Sequence, residues 1–181
     1  MLDELNILKK IIKKLNKNKI PYMLTGSLAM NYYAQPRMTR DIDIVIEISN
    51  VEKFYNLFKD DYYIDIETIK KSISDESMFN MIHSTEIIKI DFIIRKNSEY
   101  RKTEFERKRQ VKFGKDYIYI VSIEDLIISK LIWSKDNHLQ TQLNDVKNLL
   151  KEEVDIKYIK KWAKRLQIYD ILEEIINERY S

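Results

Sequence analysis

The segment from Asp41 to Ile48, DIDIVIEI, constrains the fold of this chain most strongly, because its residue types alternate without a break. Isoleucine occupies every second position, and aspartate, valine and glutamate lie between. Successive side chains of a β-strand point to opposite faces of a sheet, so the alternation predicts a strand with one apolar face. The chain must therefore build a sheet that buries the isoleucines on one side and carries Asp41 and Asp43 together on the other.

The remaining periodicity predicts further strands, and then a change to helices. Strands are predicted over YMLT, YYIDIETI, TEIIKIDFIIRK and DYIYIV, and helices over Leu2 to Lys17, LAMNYYA and SNVEKFYNLFKD, whereas SMFNMIH indicates a short helix or turn. After Val121, four helical patterns follow, the first opened by a capping box of Ser122 and Asp125. We therefore expect an α+β fold, with a mixed β-sheet flanked by helices in residues 1–121 and a C-terminal helical bundle in residues 122–181.

Composition narrows the classes of function. The 181 residues include no cysteine, which excludes a disulfide framework, a zinc-thiolate site and a cysteine nucleophile. A formal charge of +3 is too small to indicate a nucleic-acid partner by itself. Apolar runs long enough to span a membrane are lacking, so the sequence predicts a cytoplasmic protein with no membrane contact.

Three aspartates in apolar strands suggest a site for divalent cations. The α-carbons of Asp41 and Asp43 lie roughly 6.5 to 7 Å apart on a strand, and two carboxylates this close repel unless a cation lies between them. Asp91 adds a third carboxylate from a separate strand. Such a set suits two Mg²⁺ ions about 3.5 to 4 Å apart. The alternative is that the aspartates form the solvated outer face of the sheet.

The TGS sequence that ends the first strand suggests a place for phosphate. At a turn from strand to helix, Gly26 and Ser27 can point backbone amides and a hydroxyl towards an anion, where the helix dipole also favours negative charge. Together with metals on the aspartates, this describes a site for a nucleoside triphosphate. The alternative is ordinary helix capping.

These motifs together resemble a known family. The GS turn, PRMTRDIDIVI and IKIDFII are similar to the nucleotidyltransferase superfamily of DNA polymerase beta type, and VSIEDLIISKLIW with LQTQLNDVKNLL is similar to its AbiEii-like branch of toxin and phage-defence enzymes. The resemblance implies a nucleotidyltransferase-like fold and Mg²⁺-dependent transfer of a nucleoside monophosphate from an NTP to a hydroxyl, with release of pyrophosphate.

The resemblance also implies roles for individual residues. Asp41 and Asp43 would bind metal and nucleotide, while Asp91 would complete the metal ligands and act on the incoming hydroxyl. The residues implied to contact the nucleotide are Gly26, Ser27, Arg40, Lys130 and Asp145.

The acceptor is open to several hypotheses. Between Arg95 and Lys112, eight basic residues face three glutamates, a run that fits either a solvated face or a surface that tracks RNA phosphates. The residues predicted to contact RNA are Arg107, Lys108 and Arg109, with Tyr100 and Phe105 to stack on bases. The leading hypothesis is a toxin-like effector that modifies RNA, such as tRNA, or protein, with a possible cognate antitoxin. The alternatives are an antibiotic-type enzyme with a small-molecule acceptor, a metal-dependent nuclease, and a non-catalytic interaction protein.

Overall fold

The computed structural model describes residues 2–36, 39, 41–86, 88–137 and 140–178, and over these ranges it confirms the α+β fold. Helices are α1 Leu2–Lys17, α2 Gly26–Tyr33, α3 Val51–Phe58, α4 Ile66–Ser74, α5 Glu99–Glu106, α6 Ile123–Asn137, α7 Gln140–Leu149, α8 Ile156–Arg165 and α9 Tyr169–Glu178. Strands are β1 Tyr22–Thr25, β2 Asp41–Ile46, β3 Tyr62–Tyr63, β4 Met78–His83, β5 Lys89–Ile94, β6 Arg109–Phe113 and β7 Asp116–Ile120.

The chain forms two compact units. The first comprises Met1–Leu28 and Arg37–Val121, and the second comprises Ala29–Pro36 and Ser122–Ser181. That residues 1–121 and 122–181 are separate domains stays a prediction. The first unit holds a seven-stranded sheet in the order β3-β4-β5-β2-β1-β7-β6. It is mixed, because β2 and β5 run parallel, as do β1 and β7, while the other neighbours are antiparallel.

One face of this sheet is closed by helices. The rings of Phe54 and Phe58 on α3 pack against Phe79 of β4 and Phe92 of β5, with 5.3 Å between the centroids of Phe54 and Phe92. Lys14 of α1 lies over Phe58 and donates a hydrogen bond to the carbonyl of Leu57. The isoleucines of β2 at positions 42, 44 and 46 are fully buried on this apolar face. The aspartates of β2 therefore lie on the opposite face.

Two predictions of secondary structure in the first unit are wrong. YYIDIETI was expected to be one strand, but β3 has only two residues, because the Asp65 carboxylate accepts a hydrogen bond from the backbone N–H of Thr68 and starts α4. SMFNMIH is not a helix or turn but the strand β4, which buries Phe79 and Met81 at alternate positions.

Two aromatic residues of the basic run are placed differently from their prediction. The run contains the helix α5 and the strand β6, neither of which its charge pattern indicates. Tyr100 and Phe105, expected to stack on bases, are instead buried, with only 3% and 5% of their surface exposed. Their apolar rings serve the core of this region, so they are not available to a nucleic acid.

The second unit contains the four predicted C-terminal helices. Ser122 caps the start of α6, since the backbone N–H of Asp125 donates to Ser122 Oγ over 3.2 Å, and the Ser122 hydroxyl donates to the Asp125 carboxylate over 2.7 Å. The full capping box stays a prediction. On α8, the Tyr158 hydroxyl donates to the carboxylate of Asp125 over 2.7 Å, which ties α8 to the start of α6. Among the helices described, none is long and apolar enough to cross a membrane.

Candidate active site

A row of polar residues crosses four neighbouring strands in register. Thr25 of β1 pairs with Asp43 of β2, Asp43 pairs with Asp91 of β5, and Asp91 pairs with Asn80 of β4. Paired residues on adjacent strands lie about 4.8 Å apart and point to the same face of the sheet. Asp43 and Asp91 are therefore direct neighbours, on the face opposite the phenylalanine cluster.

A second pair extends this row by two residues along each strand. Asp41 of β2 pairs with Lys89 of β5, so the ammonium of Lys89 lies among three carboxylates. Asp41 is exposed and Asp43 half-buried, whereas Asp91 is buried. With three aspartates and one lysine, this polar face has a formal charge of −2.

Both carboxylate oxygens of Asp91 have partners within the protein. Lys89 Nζ lies 2.8 Å from Asp91 Oδ2, and Asn80 Nδ2 donates a hydrogen bond to Asp91 Oδ1. The hydrogen bond to Asp91 is the main cause that raises the pKa of Lys89, and the charges of Asp41 and Asp43 add to it. Lys89 is thus held in its cationic form, and Asp91 is fixed from two sides.

The turn at Gly26 brings the start of α2 against Asp43. Gly26 has a φ of +64°, a conformation that residues with a side chain rarely adopt. A Cβ at this position would lie 2.0 Å from Asp43 Oδ2, which is far inside van der Waals contact. Glycine is therefore required both by the turn and by the close approach of the carboxylate. Ser27 follows as the next residue of the helix and is half-buried.

Two of the aspartates offer oxygen ligands suited to a divalent cation. Carboxylate oxygens are the ligands that Mg²⁺ prefers, and Asp41 and Asp43 present them at the start of β2. Within the described ranges, however, no three histidine, cysteine, aspartate or glutamate side chains form a group that could hold a metal ion. The Asp41–Asp43 pair thus suits a hard cation, while Asp91 is engaged by Lys89 and Asn80. The prediction of two ions on three aspartates stays a prediction.

The two helical residues assigned to the nucleotide are brought together in the second unit. Lys130 Nζ of α6 lies 2.7 Å from Asp145 Oδ2 of α7 and donates a second hydrogen bond to Gln142 over 3.1 Å. Both side chains of the ion pair are buried, so their opposite charges offset each other. Arg40, the third charged residue assigned to the nucleotide, lies outside the described residues.

Lys108, one of the three residues predicted to contact RNA, makes contacts within the protein. Lys108 Nζ lies 4.0 Å from the centroid of the Phe105 ring and donates to the Phe105 carbonyl, and burial lowers the pKa of this lysine. Arg107 directly follows α5 as its C-cap, and Arg109 begins β6. Contact with RNA by these residues stays a prediction.

Sequence reasoning missed three residues of the polar row: Thr25, Asn80 and Lys89. Lys89 stands two residues before Asp91, the same spacing as Asp41 and Asp43, so its place on this face was visible in the alternation of IKIDFII. Asn80 was hidden because its segment was not predicted to be a strand.

The same fold occurs in nucleotidyltransferases of known structure. An antigenic nucleotidyltransferase-like protein from Paracoccidioides brasiliensis is 14% identical, with a TM-score of 0.64 over 98% of this chain and 89% of that one. The lincomycin-bound lincosamide antibiotic adenylyltransferase LnuA is 19% identical, with a TM-score of 0.55 over 78% and 93%. ANT(2'')-Ia in complex with adenylyl-2''-tobramycin is 10% identical, with a TM-score of 0.58 over 99% of both chains. No curated protein sequence matches this chain.

A family model supplies the assignment that these distant structures cannot. The model of aminoglycoside-2''-adenylyltransferase matches residues 7–139, a region that includes the turn at Gly26 and all three aspartates of the polar row. Since this match extends over well more than half of the 181 residues, the protein belongs to the aminoglycoside-2''-adenylyltransferase family and is a nucleotidyltransferase.

Proposed function

We propose that this enzyme transfers a nucleoside monophosphate, with AMP as the first candidate, from an Mg²⁺-bound NTP to a hydroxyl of a small, antibiotic-type molecule. The observation that carries the proposal is the register that pairs Asp43 with Asp91 beside the turn at Gly26, inside the region matched by the family. The small-molecule acceptor is supported by the family description and by two structural neighbours, one with lincomycin and one with adenylyl-2''-tobramycin.

In this proposal, the nucleotide is bound at the start of α2 and β2. Asp41 and Asp43 hold the divalent cation that accompanies the triphosphate, and this cation offsets the phosphate charge when bound. The backbone amides after Gly26 and the Ser27 hydroxyl bind phosphate oxygens at the helix N-terminus. The assignment of Arg40, Lys130 and Asp145 to the nucleotide rests on the family resemblance and stays a prediction.

Asp91 acts on the acceptor. Its carboxylate orients the acceptor hydroxyl and takes the proton as the hydroxyl oxygen forms a bond to the α-phosphorus. The bond from the α-phosphorus to the bridging oxygen breaks, and pyrophosphate leaves in line with the attacking oxygen. Before nucleotide and metal bind, Lys89 and Asn80 hold Asp91 from both oxygens, so the carboxylate of the base is already oriented.

The test is a transfer assay with each α-labelled NTP against panels of aminoglycosides, lincosamides, total tRNA and cell lysate. We expect label on a small molecule with the parent protein and none with Asp43→Ala. Asp60→Ala, which removes an exposed aspartate outside the polar row, is the matched control and should transfer like the parent. Both variants should keep the far-UV circular dichroism spectrum of the parent.

Other outcomes would redirect the proposal. Label on tRNA or on a lysate protein, with none on any small molecule, would contradict the small-molecule acceptor and favour the toxin-like hypothesis with its possible antitoxin. Shortened nucleic acid without label would favour the nuclease. Failure to bind any Mg-nucleotide in a calorimetric titration would favour the non-catalytic protein. The cytoplasmic location stays a prediction.

A further inference from the structure

We propose that Lys89 takes the place of a divalent cation at Asp91, so that it positions this carboxylate in the metal-free enzyme and competes with metal for it. This inference rests on the proposed function, because it concerns the aspartate that acts on the acceptor in that proposal. Its foundation is a set of contacts around one buried carboxylate in the first unit.

The contacts of Asp91 leave neither oxygen without a donor. Lys89 Nζ lies 2.8 Å from Oδ2, and Asn80 Nδ2 donates to Oδ1. Only 8% of the Asp91 side chain is exposed, so water cannot easily replace these donors. A carboxylate in this environment needs a cationic partner, and Lys89 supplies it within the same strand.

The charge distribution explains why this position attracts a cation. The strand register places Asp41 opposite Lys89 and Asp43 opposite Asp91, so one ammonium lies among three carboxylates. Carboxylates at this spacing repel one another, and a positive charge between them relieves the repulsion. A divalent cation would meet the same need, which makes Lys89 and the metal alternatives at one location.

The two partners of Asp91 differ in their freedom to leave. Asn80 has a short side chain on the neighbouring strand β4, whereas the Lys89 side chain is 44% exposed on a long flexible stem. Lys89 can therefore withdraw into solvent when a metal arrives, while Asn80 continues to orient the carboxylate.

A purely structural ion pair and a competitor for metal make different predictions. If Lys89 only stabilises the sheet, its removal lowers stability, and any gain in metal affinity comes from the lost positive charge beside Asp41 and Asp43 and does not need Asp91. If Lys89 competes with metal for Asp91, its removal lowers the stability of the metal-free protein and strengthens metal binding only while the Asp91 carboxylate is present. The dependence of the gain on Asp91 therefore separates the two roles.

The experiment measures Mn²⁺ binding to the full chain without nucleotide, from the electron paramagnetic resonance signal of free Mn²⁺. For Lys89→Met we expect binding tighter on the order of tenfold, the scale on which one neighbouring charge alters the proton affinity of a carboxylate. The melting temperature in EDTA should fall, and Mn²⁺ should raise it by more than in the parent. Lys89→Gln removes the charge but keeps a donor for Asp91, and it should also bind Mn²⁺ more tightly if Lys89→Met does not fold.

Two further variants locate the effect. Lys70→Met removes the same side chain from an ion pair of the same length, 2.8 Å to Glu67 on α4, and should leave Mn²⁺ affinity unchanged. Combining Lys89→Met with Asp91→Asn should abolish the gain, because the gain depends on the carboxylate of Asp91. Unchanged or weaker Mn²⁺ binding by both Lys89 variants would overturn the proposal, and so would a gain that survives in the double variant.

The transfer assay keeps this inference distinct from the proposed function. If the Lys89 variants gain Mn²⁺ affinity that depends on Asp91 while the parent labels no small molecule, the assignment of Lys89 stands and the proposed acceptor is wrong. If the parent labels its acceptor but the Mn²⁺ affinity of the variants does not rise, the proposed function stands and Lys89 is a structural partner.

Discussion

Two glycines with the same backbone conformation allow the close approach at Gly26 to be measured. Gly26 and Gly114 both have a φ of +64°, but an added Cβ would meet Asp43 Oδ2 at 2.0 Å in the first case and only Lys9 Nζ at 3.8 Å in the second. Substitution by alanine at Gly114 therefore tests backbone strain alone. Substitution at Gly26 adds a clash with the carboxylate of Asp43.

We expect Gly114→Ala to lower the free energy of unfolding by about 1 to 2 kcal/mol through strain in the left-handed region. Gly26→Ala should cost about 1 to 3 kcal/mol more, because Asp43 and the start of α2 must move apart. Urea denaturation at neutral pH measures both. Equal losses in the two variants would show that the contact with Asp43 relaxes at no cost.

Two buried tyrosines predict how stability changes at alkaline pH. Burial raises the pKa of Tyr22 and of Tyr62 to about 12, above the value of about 10 for an exposed tyrosine. Between these pH values the folded protein keeps protons that the unfolded chain has lost. The contribution of each tyrosine is therefore fully present below pH 10 and is lost as the pH rises towards 12.

We expect each tyrosine to reduce the free energy of unfolding by up to about 1.4 kcal/mol per pH unit in that window. Because lysines also titrate there, the informative quantity is the difference between the parent and a variant with Tyr22→Phe and Tyr62→Phe. The variant should lose stability less steeply in urea denaturation between pH 9 and 11. Parallel curves would contradict the origin in these two phenols.

At the level of elements, the hydrogen bond from Tyr158 to Asp125 joins α8 to the first turn of α6. Asp125 is fully buried, so loss of the Tyr158 hydroxyl removes a hydrogen-bond donor from an oxygen in the interior. Tyr169 offers the matched control, since its hydroxyl donates to Glu173 within α9 at an exposed position.

Tyr158→Phe should lower the free energy of unfolding by about 1 to 3 kcal/mol, the cost of removing a partner from a buried acceptor. Tyr169→Phe should change it by less than about 0.5 kcal/mol, as expected for an exposed surface pair. Thermal or urea denaturation of the two variants gives the comparison. If both variants match the parent, the tie between α8 and α6 contributes nothing to stability.

The alternation of β2 and β5 was sufficient to predict these strands, because every second residue is apolar and these residues share the buried face with the phenylalanine cluster. The four helices after Val121 were predicted from their periodicity, and the first of them also from the cap at Ser122. The segment after Tyr63 was predicted to be a strand because its apolar residues alternate. It forms a helix because Asp65 caps the start of α4. β4 is held between its sequence neighbours β3 and β5, and β6 pairs with the next strand, β7. The residue types of β4 and β6 alone do not indicate this pairing.

For the site, residue types indicated the three aspartates and the glycine, but not their partners. The pairing of Asn80 with Asp91 depends on the register between β4 and β5, and the sequence of either strand alone does not contain it. The alternation places Lys89 on the same face as Asp91, so their ion pair could have been predicted. A lysine two residues from an aspartate on a strand, however, usually forms a pair on the surface. Burial of Asp91 gives this one its importance.

On the scale of the whole molecule, the polar row can form only if the strands that carry it keep their number of residues, because a change of one residue turns side chains to the other face of the sheet. Removal of Ile90 would shift Lys89 or Asp91 to the face of the sheet that contacts Phe54 and Phe58. We expect this deletion to prevent cooperative folding, as judged by circular dichroism and thermal melting. Deletion of the exposed Glu153, in the connection between α7 and α8, should leave a cooperative transition. Cooperative melting of both variants would contradict this reasoning.

The dependence of the polar row on strand length limits how the sequence of such an enzyme can change. Point substitutions can change nearly every residue of a strand while its alternation survives. The gain or loss of one residue within β2 or β5, in contrast, moves every later side chain of that strand to the other face of the sheet. We therefore expect relatives of this protein to differ widely in sequence while each position of these two strands keeps its face of the sheet. Changes in length, and with them new acceptor specificities, are expected in the connections.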